Sequence, residues 1–243
     1  MPLTVSTRTL PAVASGEPSH AAAPVVLLHG FASDGDTDFA ASGLAEAIAA
    51  SGRDAIVVDL PGHGSGGSIG PDEDASTGAV VRAIREALPR TGAIDVVAYS
   101  LGARLAWALA AAEPRVQRLV LGGLSPFEPF AGVDVAALGR VLDGEPAPDP
   151  MLGMMAAMVG APGRDSASLL RLIDGLASAP FDPAQDVPAV PVLFVAGDAD
   201  PMTTGIDGVA AGVARGQLVR VPGDHLGALA SPEFRRAVLD FLA

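Results

Sequence analysis

Hydrophobic runs of the kind that a two-sided sheet would bury recur along the chain. Residues 24–29 read PVVLLH, and three further runs look alike: AIVVDL ending at Leu60, IDVVAYS ending at Ser100 and PVLFVAGD ending at Asp198. A strand with one solvated face alternates apolar and polar residues, so runs this continuous predict strands covered on both faces. Between them, apolar residues recur at helical spacing over 39–50, 77–88, 101–112 and 206–214. Alternating buried strands and helices predict an α/β architecture with a mostly parallel, doubly wound sheet. Residues 118–122 (RLVLG) and 217–221 (QLVRV) add two strands, and residues 3–10 alternate as an antiparallel edge strand would. Residues 231–242 predict a closing helix with Ser231 as N-cap and Pro232 at its first position.

One stretch breaks the alternation. Between the strand ending near Leu124 and the one starting near Pro191 lie about 60 residues, where a simple crossover of about a dozen would suffice. Pro, Gly and Asp punctuate this insertion (EPFAG, DGEPAPDP, GAPGRD), with helical pieces expected over 133–142, 151–159 and 166–177. Met151, Met154, Met155 and Met158 fall at helical spacing within it. Such a stripe suits packing onto the body, and Met is also flexible enough to line an adaptable apolar pocket.

Composition narrows the function classes. The 243 residues carry 15 basic and 28 acidic side chains, a net charge of −13, so the surface would mostly repel a polyanion and a general nucleic-acid binder is excluded. There is no Cys, which removes disulfides, thiol nucleophiles and thiolate metal sites. The mean hydropathy of +0.40 comes from dispersed Ala rather than from a stretch able to span a bilayer, so no membrane association is expected. The first twenty residues lack the charged start and apolar block of a signal peptide, and a cytoplasmic location is the expectation. The oligomeric state stays open.

Ser100 stands where IDVVAYS meets LGARLAWALA, a good helix former. A strand that turns straight into a helix forces its junction residue into a tight bend and lifts its side chain above the sheet. Small residues two positions to either side let the backbones cross. Ala98 and Gly102 are those residues, giving AYSLG; a serine here also suits a plain helix N-cap. In this motif, with its flanking strand and helix, the chain resembles the α/β-hydrolase superfamily over essentially its whole length, with Ala98 where the commoner motif has Gly. The resemblance implies an α/β-hydrolase core over residues 1–124 and 183–243, and a helical cap insertion over 125–182.

A serine hydroxyl is too weak an acid to attack unaided and needs a base held by a third group. His20 lies in a polar loop and is assigned no role, while His29 (LLHGF) and His63 (PGHG) occupy positions that are structural in the family. His225, in VPGDHLGAL, stands where the superfamily places its base. The strand PVLFV ends in AGDADP, offering Asp198 and Asp200; the family's G-x-x-D pattern from Gly197 implies Asp200 as the orienting acid and Asp198 as a turn-stabilising neighbour. Asp224 adjoins His225, and a sequence neighbour rarely reaches the far ring nitrogen. The bend itself presents the backbone N–H of Leu101 to a developing oxyanion, and the resemblance adds that of Phe31.

Serine at position 100 excludes the family's aspartate-nucleophile chemistries. No Gly-rich phosphate loop and no metal-ligand spacing is present, and DGDTD at 34–38 reads as a solvated helix start rather than a calcium loop, so no metal or cofactor is expected. The leading expectation is an esterase-type serine hydrolase acting on a small ester or thioester through an acyl-Ser100 intermediate, with a pocket that includes Tyr99, Arg104, Met154 and Met155. Two alternatives stand. DLPGHG and YSLGAR resemble the menaquinone-pathway synthase, a lyase that eliminates pyruvate with the same triad and grips substrate carboxylates with arginines; Arg104 matches that motif, and Arg140, Arg164 and Arg171 could add cap contacts. A noncatalytic binding protein on a hydrolase fold is the other.

Overall fold

The computed structural model describes residues 2–13 and 23–243; His20 lies outside them. Seven strands form one sheet: β1 Ser6–Leu10, β2 Val25–Leu28, β3 Ala55–Asp59, β4 Ile94–Tyr99, β5 Val116–Gly122, β6 Val192–Gly197 and β7 Gly216–Val221. Their order is β1-β3-β2-β4-β5-β6-β7, with β1 antiparallel to β3 and every other pairing parallel. The helices are α1 Leu44–Ala50, α2 Thr77–Ala87, α3 Leu101–Ala112, α4 Val135–Leu142, α5 Pro150–Val159, α6 Ser166–Ala177, α7 Ile206–Gly212, α8 His225–Ala230 and α9 Pro232–Leu242.

The continuous apolar runs have the physical cause inferred from them. In β2, Val26 and Leu28 face a core shared with α2, α3 and the helices after β5, while Val25 and Leu27 face a second core with α1 and α9. Val96 and Ala98 against Val97 and Tyr99 divide β4 the same way. Both faces are covered, so neither can be polar.

Boundaries moved where local chemistry intervened. The helix expected over 39–50 is split: a wide turn over Asp36–Ala40 closes with Ala41 N–H donating to the Asp36 carbonyl, and Gly43, at φ 69°, separates it from α1. The short helix α8 was not anticipated. Asp224 caps it by accepting from Gly227 N–H, so His225 is a helix-initiating residue rather than part of an irregular loop.

Three helices, α4 to α6, fill the segment between β5 and β6, each started by an aspartate, Asp134, Asp149 or Asp165, whose carboxylate accepts from a first-turn N–H. They pack on one another, and α6 is fastened to the loop after β3: Ile69 N–H donates to Ser168 Oγ at 2.7 Å and Arg171 to the Ile69 carbonyl at 2.6 Å.

In an open sheet, ligands bind where the strand order reverses, because loops leave the carboxyl edge in opposite directions there. That point is between β2 and β4, the strands followed by Phe31 and by Ser100. Two buried histidines hold the adjoining loops. His29 Nε2 accepts from Leu60 N–H at 3.1 Å and His63 Nε2 accepts from Ala32 N–H at 3.0 Å, so each ring carries its proton on Nδ1, donated to the carbonyls of Gly30 and Pro61. Burial depresses both pKa values, that of His63 to about 3 from an ordinary 6.5. Between those values the unfolded chain takes up protons that the folded chain cannot, so stability rises with pH across this window and is lost on acidification. The His63 ring contributes up to about 1.4 kcal/mol per pH unit, and His29 acts in the same direction. Urea unfolding should therefore show a loss of at least about 1–2 kcal/mol between pH 6.5 and about pH 5. A flat profile would contradict the neutral, buried state of both rings.

Candidate active site

Ser100 joins β4 to α3 with φ 52° and ψ −114°, a backbone conformation that an L side chain adopts only at a cost. Its N–H donates to the Gly122 carbonyl at 2.8 Å and its carbonyl accepts from Arg104 N–H at 3.1 Å, so both neighbouring elements enforce the bend. Gly102 explains how the chains pass: a Cβ there would stand 2.0 Å from the Leu28 carbonyl oxygen. Ala98, by contrast, is wholly buried in the helix-covered core, where its methyl group fits without a Gly.

The fold brings three of the sequence-identified side chains together. Ser100 Oγ lies 2.9 Å from His225 Nε2, and His225 Nδ1 lies 2.8 Å from Asp200 Oδ2. The ionised carboxylate can only accept, so the imidazole carries its proton on Nδ1 and turns a lone pair on Nε2 toward the serine hydroxyl. Asp200 is buried, with its other oxygen accepting from Met202 N–H at 2.9 Å. Asp198 is exposed and accepts from Gly223 N–H at 3.0 Å, and Asp224 is spent as the cap of α8. Of the three carboxylates near the histidine, Asp200 is the one that meets the ring.

Phe31 and Leu101 lie on the two loops of the switch point. Leu101 is the first residue of α3, whose N–H has no helical acceptor. On the other loop, Gly30 N–H goes to Asp38 at 2.8 Å and Ala32 N–H to His63; among the described residues no bond engages the N–H of Phe31 between them. The sequence pattern places Asp38 in a solvated helix start. It is instead buried and ties down this loop, while Asp36 points outward to an ion pair with Arg8. Gly30 borders Ser100 directly: a Cβ on it would sit 3.5 Å from that of the serine.

The cavity beside Ser100 has a volume of about 30 Å³ and is bordered by Phe31, Phe127, Phe130, Phe181, Met202 and Arg104, among others. The methionine expectation is corrected here. Met154 projects into solvent and Met155 is buried among the helices of the insertion, so neither borders the cavity; on α5 the helical period turns the first outward and the second inward. Tyr99 does not border it either. As the last residue of β4 its side chain points to the opposite face of the sheet from Ala98, where it lies behind His225, ring centroids 5.4 Å apart, and donates from its hydroxyl to the His225 carbonyl at 2.6 Å. Gly123, at φ 59°, makes this possible, since a Cβ would come within 2.8 Å of the Tyr99 ring and 3.0 Å of His225.

Arg104 does border the cavity, yet it is buried and committed. Its Nε donates to Glu128 Oε2 at 2.7 Å, NH1 to Thr77 Oγ1 at 2.9 Å and NH2 to the carbonyls of Leu176 and Ala179 at 3.1 Å. Burial lowers the Arg104 pKa from its ordinary value, and Glu128 opposes that shift. Glu128 was not foreseen: a lone carboxylate in a Pro-rich loop carries no sequence signal for a partner 24 residues away.

Among solved structures the chain is similar to a hydrolase from Pseudomonas aeruginosa PA01, at 23% identity over 99% of this chain and 95% of that one, with a TM-score of 0.75. It is similar also to a thermophilic esterase from Thermogutta terrifontis, at 20% identity, 99% and 93% coverage and a TM-score of 0.75. MenH from S. aureus matches at 19% identity, 97% coverage of each chain and a TM-score of 0.76. No curated protein matches significantly. These likenesses report the fold, while residues 23–149 match the family described as alpha/beta hydrolase fold. With more than half its length in that match, and the strand order that such a fold requires, the chain belongs to the alpha/beta hydrolase fold family.

Proposed function

We propose that the protein is a serine hydrolase that cleaves a small ester or thioester through an acyl-Ser100 intermediate. The observation that carries this reading is the unbroken Ser100–His225–Asp200 hydrogen-bond chain at a strained strand-to-helix bend. His225 Nε2 takes the hydroxyl proton as Ser100 Oγ attacks the acyl carbon. Asp200 accepts from Nδ1–H and stabilises the imidazolium that forms. The N–H groups of Phe31 and Leu101 receive the developing oxyanion, and His225 returns its proton to the leaving alcohol or thiol. Water then repeats the sequence to release the acid.

Residues 125–182 act in this reading as a cap, because Phe127, Phe130 and Phe181 wall the cavity from that segment. Phe127, 65% exposed, forms the solvent-facing part of that wall.

The lyase reading calls for cations open to substrate carboxylates. Arg104 is buried and held by Glu128, and Arg140, Arg164 and Arg171 do not border the cavity beside Ser100, which favours hydrolysis. A noncatalytic binder would have no use for a bend strain of about 1–3 kcal/mol aimed at a serine that a histidine already faces.

Ser100→Ala should keep its fold by circular dichroism and lose roughly four decades in kcat on the best chromogenic ester. Retention of a tenth of the rate would refute the assignment. Asp200→Asn should cost on the order of 10⁴ in kcat by favouring the wrong tautomer, whereas Asp198→Asn should stay within about tenfold. Equal losses at both positions would mean that the loop, not one carboxylate, is what matters.

A further inference from the structure

The cavity beside Ser100 is mostly apolar; among the described residues that border it Ser100 and Ser125 are polar and Arg104 alone is charged, and that charge is already answered. Glu128 Oε2 lies 2.7 Å from Nε and 2.6 Å from NH2 of Arg104, with both side chains 4% exposed. The same carboxylate also accepts from Phe181 N–H at 2.9 Å and Phe130 N–H at 3.1 Å, the backbones of two of the aromatic walls. One buried ion pair thus fixes the pocket lining and neutralises the one cation that borders it among the described residues.

We infer that Glu128 sets the substrate class: it holds the place that a substrate carboxylate would otherwise take on Arg104 and restricts the site to uncharged acyl groups. This rests on the serine-hydrolase reading and goes further by naming what the hydrolase accepts. An anionic acyl group entering the cavity meets Phe31, Phe127, Phe130 and Phe181, which cannot solvate it, and Arg104, whose donors are already bound to Glu128, Thr77 and two main-chain carbonyls. To gain Arg104 it would have to displace Glu128, leaving one of two carboxylates buried without a cation, and like charges in a dry site exclude each other. An uncharged acyl group pays neither cost. Removing the Glu128 charge while keeping its shape turns the same cavity into an anion acceptor, with Arg104 as a cation held four residues after the nucleophile.

The test compares ethyl 4-methylpentanoate with monoethyl succinate, whose acyl groups have the same number of non-hydrogen atoms and differ in charge. Wild type should favour the neutral ester in kcat/KM by at least about 100-fold. Glu128→Gln should narrow that ratio by at least about tenfold, by raising activity on the anionic ester. The double variant Arg104→Met with Glu128→Gln has no guanidinium and should not narrow it. Equal use of both esters by wild type would overturn the proposal, as would equal narrowing in the single and double variants. Should Glu128→Gln fail to fold, a wild-type ratio below about tenfold still overturns the proposal. Absence of activity on both esters, together with no labelling of Ser100 by a fluorophosphonate probe, would refute the hydrolase reading itself and this proposal with it.

Discussion

The constraint on which the rest depends is that β4 must turn into α3 within one residue. Ser100 holds a positive φ that an unconstrained serine would leave, at a cost of about 1–3 kcal/mol. That cost is met by neighbours that cannot give way: Gly102 rests against the Leu28 carbonyl, the Ser100 N–H is bound to Gly122, and Val96, Val97 and Ala98 are locked in two cores. Relaxing the bend would mean unpacking the central strand of the sheet. The strain therefore persists, and with it the hydroxyl raised above the carboxyl edge at the place where strand order reverses.

Polar groups around this bend divide by burial into those that hold and those that act. His29 and His63 are buried, neutral and bound at both nitrogens to backbone, so they serve as fixed struts between the loops after β2 and β3. His225 is a quarter exposed, with one nitrogen fixed by a carboxylate and the other facing a hydroxyl. Arg104 and Glu128 belong to the holding class. Breaking such a pair from one side costs about 3–5 kcal/mol, because the remaining charge stays buried. The pair anchors the aromatic wall and also keeps a net charge out of the pocket.

The sheet was legible because parallel strands covered on both faces leave uninterrupted apolar runs, as PVVLLH and IDVVAYS do. The strand-to-helix bend was legible because it restricts residue size at fixed offsets, Ala98 and Gly102 around Ser100. The pairing of Asp200 rather than Asp198 with His225 came from the resemblance alone, since both aspartates follow the same strand. What the sequence left hidden depends on contacts between distant segments. Glu128 meets Arg104 only after the chain folds back, and Tyr99 meets His225 across 126 residues. Helical spacing placed the methionines of α5 on a helix but could not say which side of that helix the protein would cover.

The most direct test of the account is to quench the enzyme during turnover of an activated ester and map the covalent adduct by peptide mass spectrometry. The acyl group should appear on the peptide containing Ser100 and on no other serine, and should vanish in a His225→Ala variant that still folds. An adduct at another residue, or turnover with no adduct under conditions where deacylation is slow, would contradict the claim that the strained bend exists to present a nucleophile.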